Sequence, residues 1–136
     1  MGAGQKPVEI TRLRSIALAL AITVLATTAD AHHSVLGQFD VSKVVTLTGT
    51  IAKVDWINPH AYVYLDVKAT DGRMTKWALS TIPIAMMRKG GISREALTGK
   101  TGETVRVKAN PALNGKPFAW IIRITYADGH YFALFE

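Results

Sequence analysis

The stretch VVTLTGTIAKVDW, Val44 to Trp56, alternates apolar and polar residues but changes phase once. Val45, Leu47 and Ile51 share one parity, whereas Ala52, Val54 and Trp56 take the other. Successive side chains of a strand point to opposite faces, so burying both sets requires an extra residue or a sharp bend between them. Gly49 sits just before the slip, where a missing Cβ allows such a bend. The pattern predicts one long, bent first strand, the kind that closes a small barrel.

The rest of the chain supplies short strands with one interruption. Pro59 cannot donate to a ladder and restricts Asn58, so INPH ends the first strand. In HAYVYLDVK, Ala61, Val63, Leu65 and Val67 share one face; His60, Tyr62, Tyr64, Asp66 and Lys68 share the other. Asp71-Gly72 marks a hairpin turn before a third strand, TKWALS, with Trp77 and Leu79 on one side. Pro83 suits the first turn of a helix capped by Ser80 or Thr81; Gly90-Gly91 stops it, and Ser93 caps a second turn. A fourth strand follows in ETVRVKANPA, with Val105, Val107 and Ala109 inward. Phe118, Trp120, Ile122, Ile124 and Tyr126 alternate in a fifth strand, Asp128-Gly129 turns, and Tyr131 to Phe135 returns. The order predicts a mostly β fold over residues 44–136: a five- to six-stranded OB-like antiparallel barrel with one helical connection between strands three and four. The alternative is an open antiparallel sheet crossed by one helix.

The N-terminus has a different logic. Lys6, Arg12 and Arg14 precede an apolar run from Ile16 to about Leu25, and Ala29-Asp30-Ala31 places small residues where a signal peptidase reads them. The run is shorter than the ~20 residues a spanning helix needs. Residues 1–31 therefore read as a signal peptide, with an uncleaved anchor as the alternative. The layout predicts export to the periplasm, or secretion, in a Gram-negative bacterium. No transmembrane span is expected in the mature chain. Residues 32–43 then form an extended lead-in to the barrel.

Cleavage after Ala31 makes His32 the terminus. A terminal histidine offers a metal its α-amine and ring nitrogen, and His33 adds a second imidazole. His60, beside a proline-restricted turn, is the third candidate ligand, with Asp40 or Asp55 as oxygen donors. Nitrogen donors of this type favour Cu(II) among the first-row divalent ions. The bland alternative is a solvated His-His and a turn-stabilising His60. His130, after Asp128-Gly129, reads as exposed. Met86-Met87 could serve Cu(I), although on a short helix such a pair more commonly packs the core. The chain has no cysteine, which excludes disulfides, thiolate metal sites and thiol nucleophiles.

Tyr62 and Tyr64, with Trp56 and Asp66 nearby, suggest a stacking surface of the OB type for a small ligand, a glycan or a protein partner. The competing reading makes these aromatics barrel wall. The formal net charge of +6 is scattered, so it suits anionic lipid, polysaccharide or nucleic acid only weakly, and nothing in the motifs selects nucleic acid. Ser34, Ser42, Ser80 and Ser93 lack a nucleophile elbow, and Gly90-Gly91 lacks a phosphate-loop pattern. The case for an enzyme is poor; a metal-dependent oxidoreductase ranks third, behind a copper-binding carrier or sensor and a metal-free binding module.

Ala31–Ser34 (AHHS), the Phe39-Asp40 pair, Leu47–Thr50, Trp56, Asn58-Pro59-His60, Tyr62, Tyr64-Leu65 and Val67 together resemble an uncharacterised family of small exported bacterial proteins. The later W-x-L-S and the final strand pair fit it too. The resemblance implies a small, exported, mostly β protein and carries no established activity.

Overall fold

The computed structural model describes residues 35–135. A single helical turn, α1 (Val35–Gln38), leads through Phe39, which forms an isolated β-bridge with Ala112. The lead-in is thus not extended throughout. The strands are β1 (Val45–Ile57), β2 (His60–Lys68), β3 (Met74–Pro83), β4 (Thr104–Pro111), β5 (Phe118–Tyr126) and β6 (Tyr131–Ala133). Between β3 and β4 lie α2 (Ile84–Lys89) and α3 (Arg94–Thr98). The sheet runs β3-β2-β1-β4-β5-β6, and a parallel β3–β5 pairing closes five strands into a barrel of the OB type, leaving β6 as an addition on β5. Among the described residues no helix is long and apolar enough to cross a membrane.

The phase slip in β1 is a real bulge. Val45 through Thr50 pair with β4, and Thr50 through Ile57 pair with β2, with the register shifting between Ile51 and Lys53. Ala52 is the extra residue, so Leu47 and Ile51 point inward before it while Val54 and Trp56 pack on the core after it. Gly49 lies at the corner where β2 first comes alongside. A Cβ there would overlap the Asp66 carbonyl oxygen and meet Leu65 Cγ at 3.0 Å.

The core follows the alternation of each strand. Val63, Leu65, Leu79, Val105, Val107, Ile121 and Ile124 are inaccessible or nearly so, and Ile84, Met87 and Leu97 from the helical connection join the same cluster. Burying each such aliphatic side chain contributes about 1.5–3 kcal/mol.

Two local expectations are corrected. Neither Ser80 nor Thr81 caps α2, because β3 continues to Pro83, which itself takes the N-cap position without a side-chain bond. Thr81 is instead buried: its hydroxyl accepts from the Ala61 N–H (3.1 Å) and donates to the Ile82 carbonyl (2.8 Å), where β3 bulges against β2. In β5 the alternation does not hold one face. Lys108 pairs with Arg123 but Ala109 with Ile121, so Ile122 is a bulged residue. Ile124 and Tyr126 therefore face the core, whereas Phe118 and Trp120 lie on the outside. Ser93 does cap α3, accepting from the Ala96 N–H at 3.1 Å.

Candidate binding face

β2 presents His60, Tyr62, Tyr64 and Asp66 outward, because the inward positions are claimed by Ala61, Val63 and Leu65. The ladder places Ile57, Asp55 and Lys53 of β1 beside His60, Tyr62 and Tyr64. On the β3 side, Ser80, Ala78 and Lys76 stand beside Tyr62, Tyr64 and Asp66. The charges here are paired off: Lys53 with Asp55 at 2.8 Å and Lys76 with Asp66 at 2.7 Å. The hydrogen bond that the Lys53 ammonium donates to Asp55 raises the Lys53 pKa, and the same ammonium lies 5.4 Å from the centroid of the Tyr64 ring. Asp55 and Asp66 are thus each occupied by a lysine and form no acid–base pair.

Tyr62 extends the face toward the β4–β5 loop. Its ring stacks on Phe118, with centroids 6.4 Å apart and planes 25° apart. Phe118 in turn packs against Phe39 (5.0 Å), and Phe39 against Trp120 (6.0 Å). Phe39, Ala112 and Trp120 form a small buried cluster on the outside of the barrel, separate from the core. Two backbone bonds lace the N-terminal segment onto this corner: Asp40 N–H to the Pro111 carbonyl at 2.8 Å and Leu113 N–H to the Gln38 carbonyl at 2.9 Å. Between them opens a shallow cleft of about 300 Å³ lined by Gly37, Gln38, Ala112, Leu113, Asn114 and Phe118. Phe118 therefore serves both the cleft and the aromatic row. Strand face plus β4–β5 loop is the geometry by which OB-type barrels take ligands.

Trp56 does not join this face. It pairs with Ala61, whose side chain points inward, and its indole packs against the core with Nε1 buried and without a hydrogen-bond partner among the described residues. The bulge at Ala52 puts it on the opposite pleat from Tyr62. Phe118 and Phe39 take its place, and local pattern announces neither role. Phe118 shares the parity of Ile122, Ile124 and Tyr126 in the β5 alternation, and Phe39 is remote in sequence from the strands it covers.

His60 is half-buried and well oriented. Its Nδ1 donates to the Thr81 carbonyl at 2.7 Å, a tautomer assigned from the acceptor, which leaves Nε2 with a lone pair. The peptide before it, Asn58-Pro59, is cis. His32 and His33 lie outside the described residues. Among the described residues no three His, Asp or Glu side chains converge as a metal-holding group. Asp40 is engaged locally by Ser42 and Lys43, contacts that lower its pKa. His130 stacks flat on Tyr126, with centroids 4.3 Å apart, and bonds through Nδ1 to Asp128 at the β5–β6 turn. The methionine pair divides: Met87 is fully buried in the core and Met86 is exposed.

No curated protein and no solved structure matches the chain. The family of unknown function DUF6152 matches residues 20–121, the greater part of its length, and the chain belongs to that family.

Proposed function

We propose that this protein is an exported OB-type binding module whose ligand lies across Tyr62 and Phe118 and reaches into the cleft at Gln38, Leu113 and Asn114. The observation that carries this reading is the stack of Tyr62 on Phe118 beside that cleft. A planar or partly apolar ring, from a sugar, a small aromatic ligand or a protein loop, gains stacking area there. Backbone and amide groups of the loop can supply the few polar contacts that fix its orientation. The two aspartates of the face are each paired with a lysine, and among the described residues no group of three side chains could hold a metal ion. Nuclear magnetic resonance titration of the protein with a panel of oligosaccharides and small aromatics tests the reading. Shifts should concentrate at Tyr62, Gln38, Asn114 and Phe118, and Tyr62→Ala should weaken binding at least tenfold without unfolding the barrel. Shifts that map elsewhere, or a Tyr62→Ala protein that binds as well as wild type, refute it.

One observation favours a second reading, a copper site formed by His32, His33 and His60. The Nδ1–H bond from His60 to a backbone carbonyl is the outer-shell contact that orients metal-binding imidazoles, and it leaves Nε2 available. Calorimetry with Cu(II) distinguishes it. Blocking the α-amine of a chain that begins at His32 should cost most of the affinity, and His60→Ala should cost part. If His60→Ala has no effect, the histidine pair acts alone and the barrel has no role in binding.

A further inference from the structure

The face around Tyr62 and Tyr64 is rich in charge yet balanced. From the Ile57–His60 row to the Asp66–Lys76 row it holds two ammonium and two carboxylate groups, joined as Lys53–Asp55 and Lys76–Asp66. The adjoining cleft is lined by no charged residue, and Gln38 and Asn114 supply its side-chain polarity. The two ion pairs border Tyr64. Lys53 and Asp55 run along β1 beside Tyr64 and Tyr62, and Asp66 and Lys76 close the end beyond Tyr64. Toward β3 the ring of Tyr64 has room: its row runs Tyr64, Ala78, Phe118, with the smallest side chain in the middle. Both tyrosines and Ala78 are half-buried. Each lysine engages Oδ1 of its aspartate, which leaves Oδ2 of Asp55 and of Asp66 to accept from a ligand.

We propose that the ligand of this face is an uncharged pyranose glycan, an assignment that rests on the function proposed for Tyr62 and Phe118. A pyranose has an apolar C–H face and a rim of hydroxyls. Laid over Tyr64 toward Ala78, its face packs on the aromatic rings. Its rim then meets Asp55 and Lys53 on one side and Asp66 and Lys76 at the end. A hydroxyl both donates and accepts, so it can bond to carboxylate and ammonium without breaking the pair. Hydrogen bonds to ionised groups are the stronger kind. Tyr62 and Tyr64 stand about 6.8 Å apart along β2, and Phe118 stacks on Tyr62 from β5, so the rings can serve more than one sugar unit. Other ligands fit less well. A flat aromatic ring on Tyr64 would strip water from Lys53 and Asp66 and return no hydrogen bond to either. A polyanion or polycation meets as many like charges here as opposite ones.

The test is a nuclear magnetic resonance titration of the purified protein with cellohexaose, laminarihexaose and maltohexaose, with hexagalacturonate and indole measured alongside. At least one neutral hexaose should shift Tyr62, Tyr64 and Phe118, with an affinity that added salt changes less than twofold. Hexagalacturonate should bind more weakly. Tyr64→Ala should weaken the neutral hexaose at least tenfold, whereas Tyr64→Phe, which keeps the ring, should stay within threefold of wild type. Asp55→Asn with Asp66→Asn should weaken the neutral hexaose at least fivefold and strengthen hexagalacturonate. Asp71→Asn removes the carboxylate of the Asp71–Arg73 pair in the β2–β3 turn and should change binding less than twofold. If indole shifts these residues and no hexaose does, the glycan is refuted while the binding face stands. If no probe shifts them, the binding face falls and the glycan with it. Hexagalacturonate that binds as tightly as the neutral hexaoses, or a double asparagine variant that binds them like wild type, also overturns the assignment.

Discussion

Gly49→Ala tests whether the corner of β1 is as tight as the geometry requires. The added methyl would overlap the Asp66 carbonyl oxygen and sit 3.0 Å from both the Asp66 carbonyl carbon and Leu65 Cγ. The first obstacle is backbone of β2, held by its ladder to β3, and the second is a fully buried side chain. Neither can turn aside. Overpacking of this kind costs about 1–3 kcal/mol. Against it stands the usual gain from replacing a strand glycine, about 0.5–1 kcal/mol. The net is a loss of roughly 1–2 kcal/mol, or about 5–15 °C in Tm for a domain of this size. Thermal unfolding followed by circular dichroism measures it, with Thr50→Ala, one residue along and outward-facing, as the control expected within ~0.5 kcal/mol of wild type. A Gly49→Ala protein that melts at or above the wild-type temperature would show that β2 does not press on this position, and the account of the bend would fall.

Tyr126 is buried with no hydrogen-bond partner for its hydroxyl among the described residues, and burial, with a smaller effect from Glu103, pushes its pKa up to about 12. The neutral phenol is the form the fold prefers, so its contribution is complete below the unfolded pKa near ~10 and is lost as pH rises from there toward 12. Ultraviolet titration should show a late phenolate step that disappears in Tyr126→Phe, and that variant should be at least as stable as wild type because no bond is lost; a marked drop in Tm would reveal a partner for the hydroxyl. Ser93→Ala removes the side-chain acceptor of the Ala96 N–H at the start of α3 and should cost about 0.5–2 kcal/mol in urea unfolding, whereas Ser93→Asp should restore most of it. Leu79→Ala, at a position with no solvent exposure, should cost about 2–5 kcal/mol, and a smaller loss would mean the barrel collapses onto the cavity.

Much of the architecture is legible in the chain because it is locally encoded. The parity change from Ile51 to Ala52 announces the bulge, Pro59 ends β1, and Gly72 and Gly129, at φ 86° and 89°, make their turns where Asp-Gly pairs stand. The outward row of β2 follows from period two alone. What escapes the sequence is whatever joins distant segments. Ile122 looks like one more apolar position, and only the register with β4 shows that it is extra, which turns Phe118 and Trp120 outward. Nothing near Phe39 says that it will close over those two rings. Trp56 is close to the tyrosines in sequence, yet the pleat separates them. Thr81 stands where a cap for the helix begun by Pro83 would stand, but a buried bulge takes its hydroxyl first.

The barrel is unequally fastened. β2 and β3 are zipped antiparallel along nearly their whole length, whereas β3 and β5 meet in parallel only from Ala78 to Ser80 against Phe118 to Trp120, helped by the Ala78 N–H to Pro117 carbonyl bond at 3.0 Å. Opening is cheapest where a ladder is short, so this seam should breathe first and its amides should exchange with solvent ahead of those in β1 and β2. Phe118 belongs to the seam, and the rings of Tyr62 and Phe39 are its outer clasp. A molecule seated against Tyr62 and Phe118 would therefore be felt as slower exchange along β3 and β5, and a loosened clasp, as in Phe39→Ala, as a barrel that unzips from this edge while its far side stays closed.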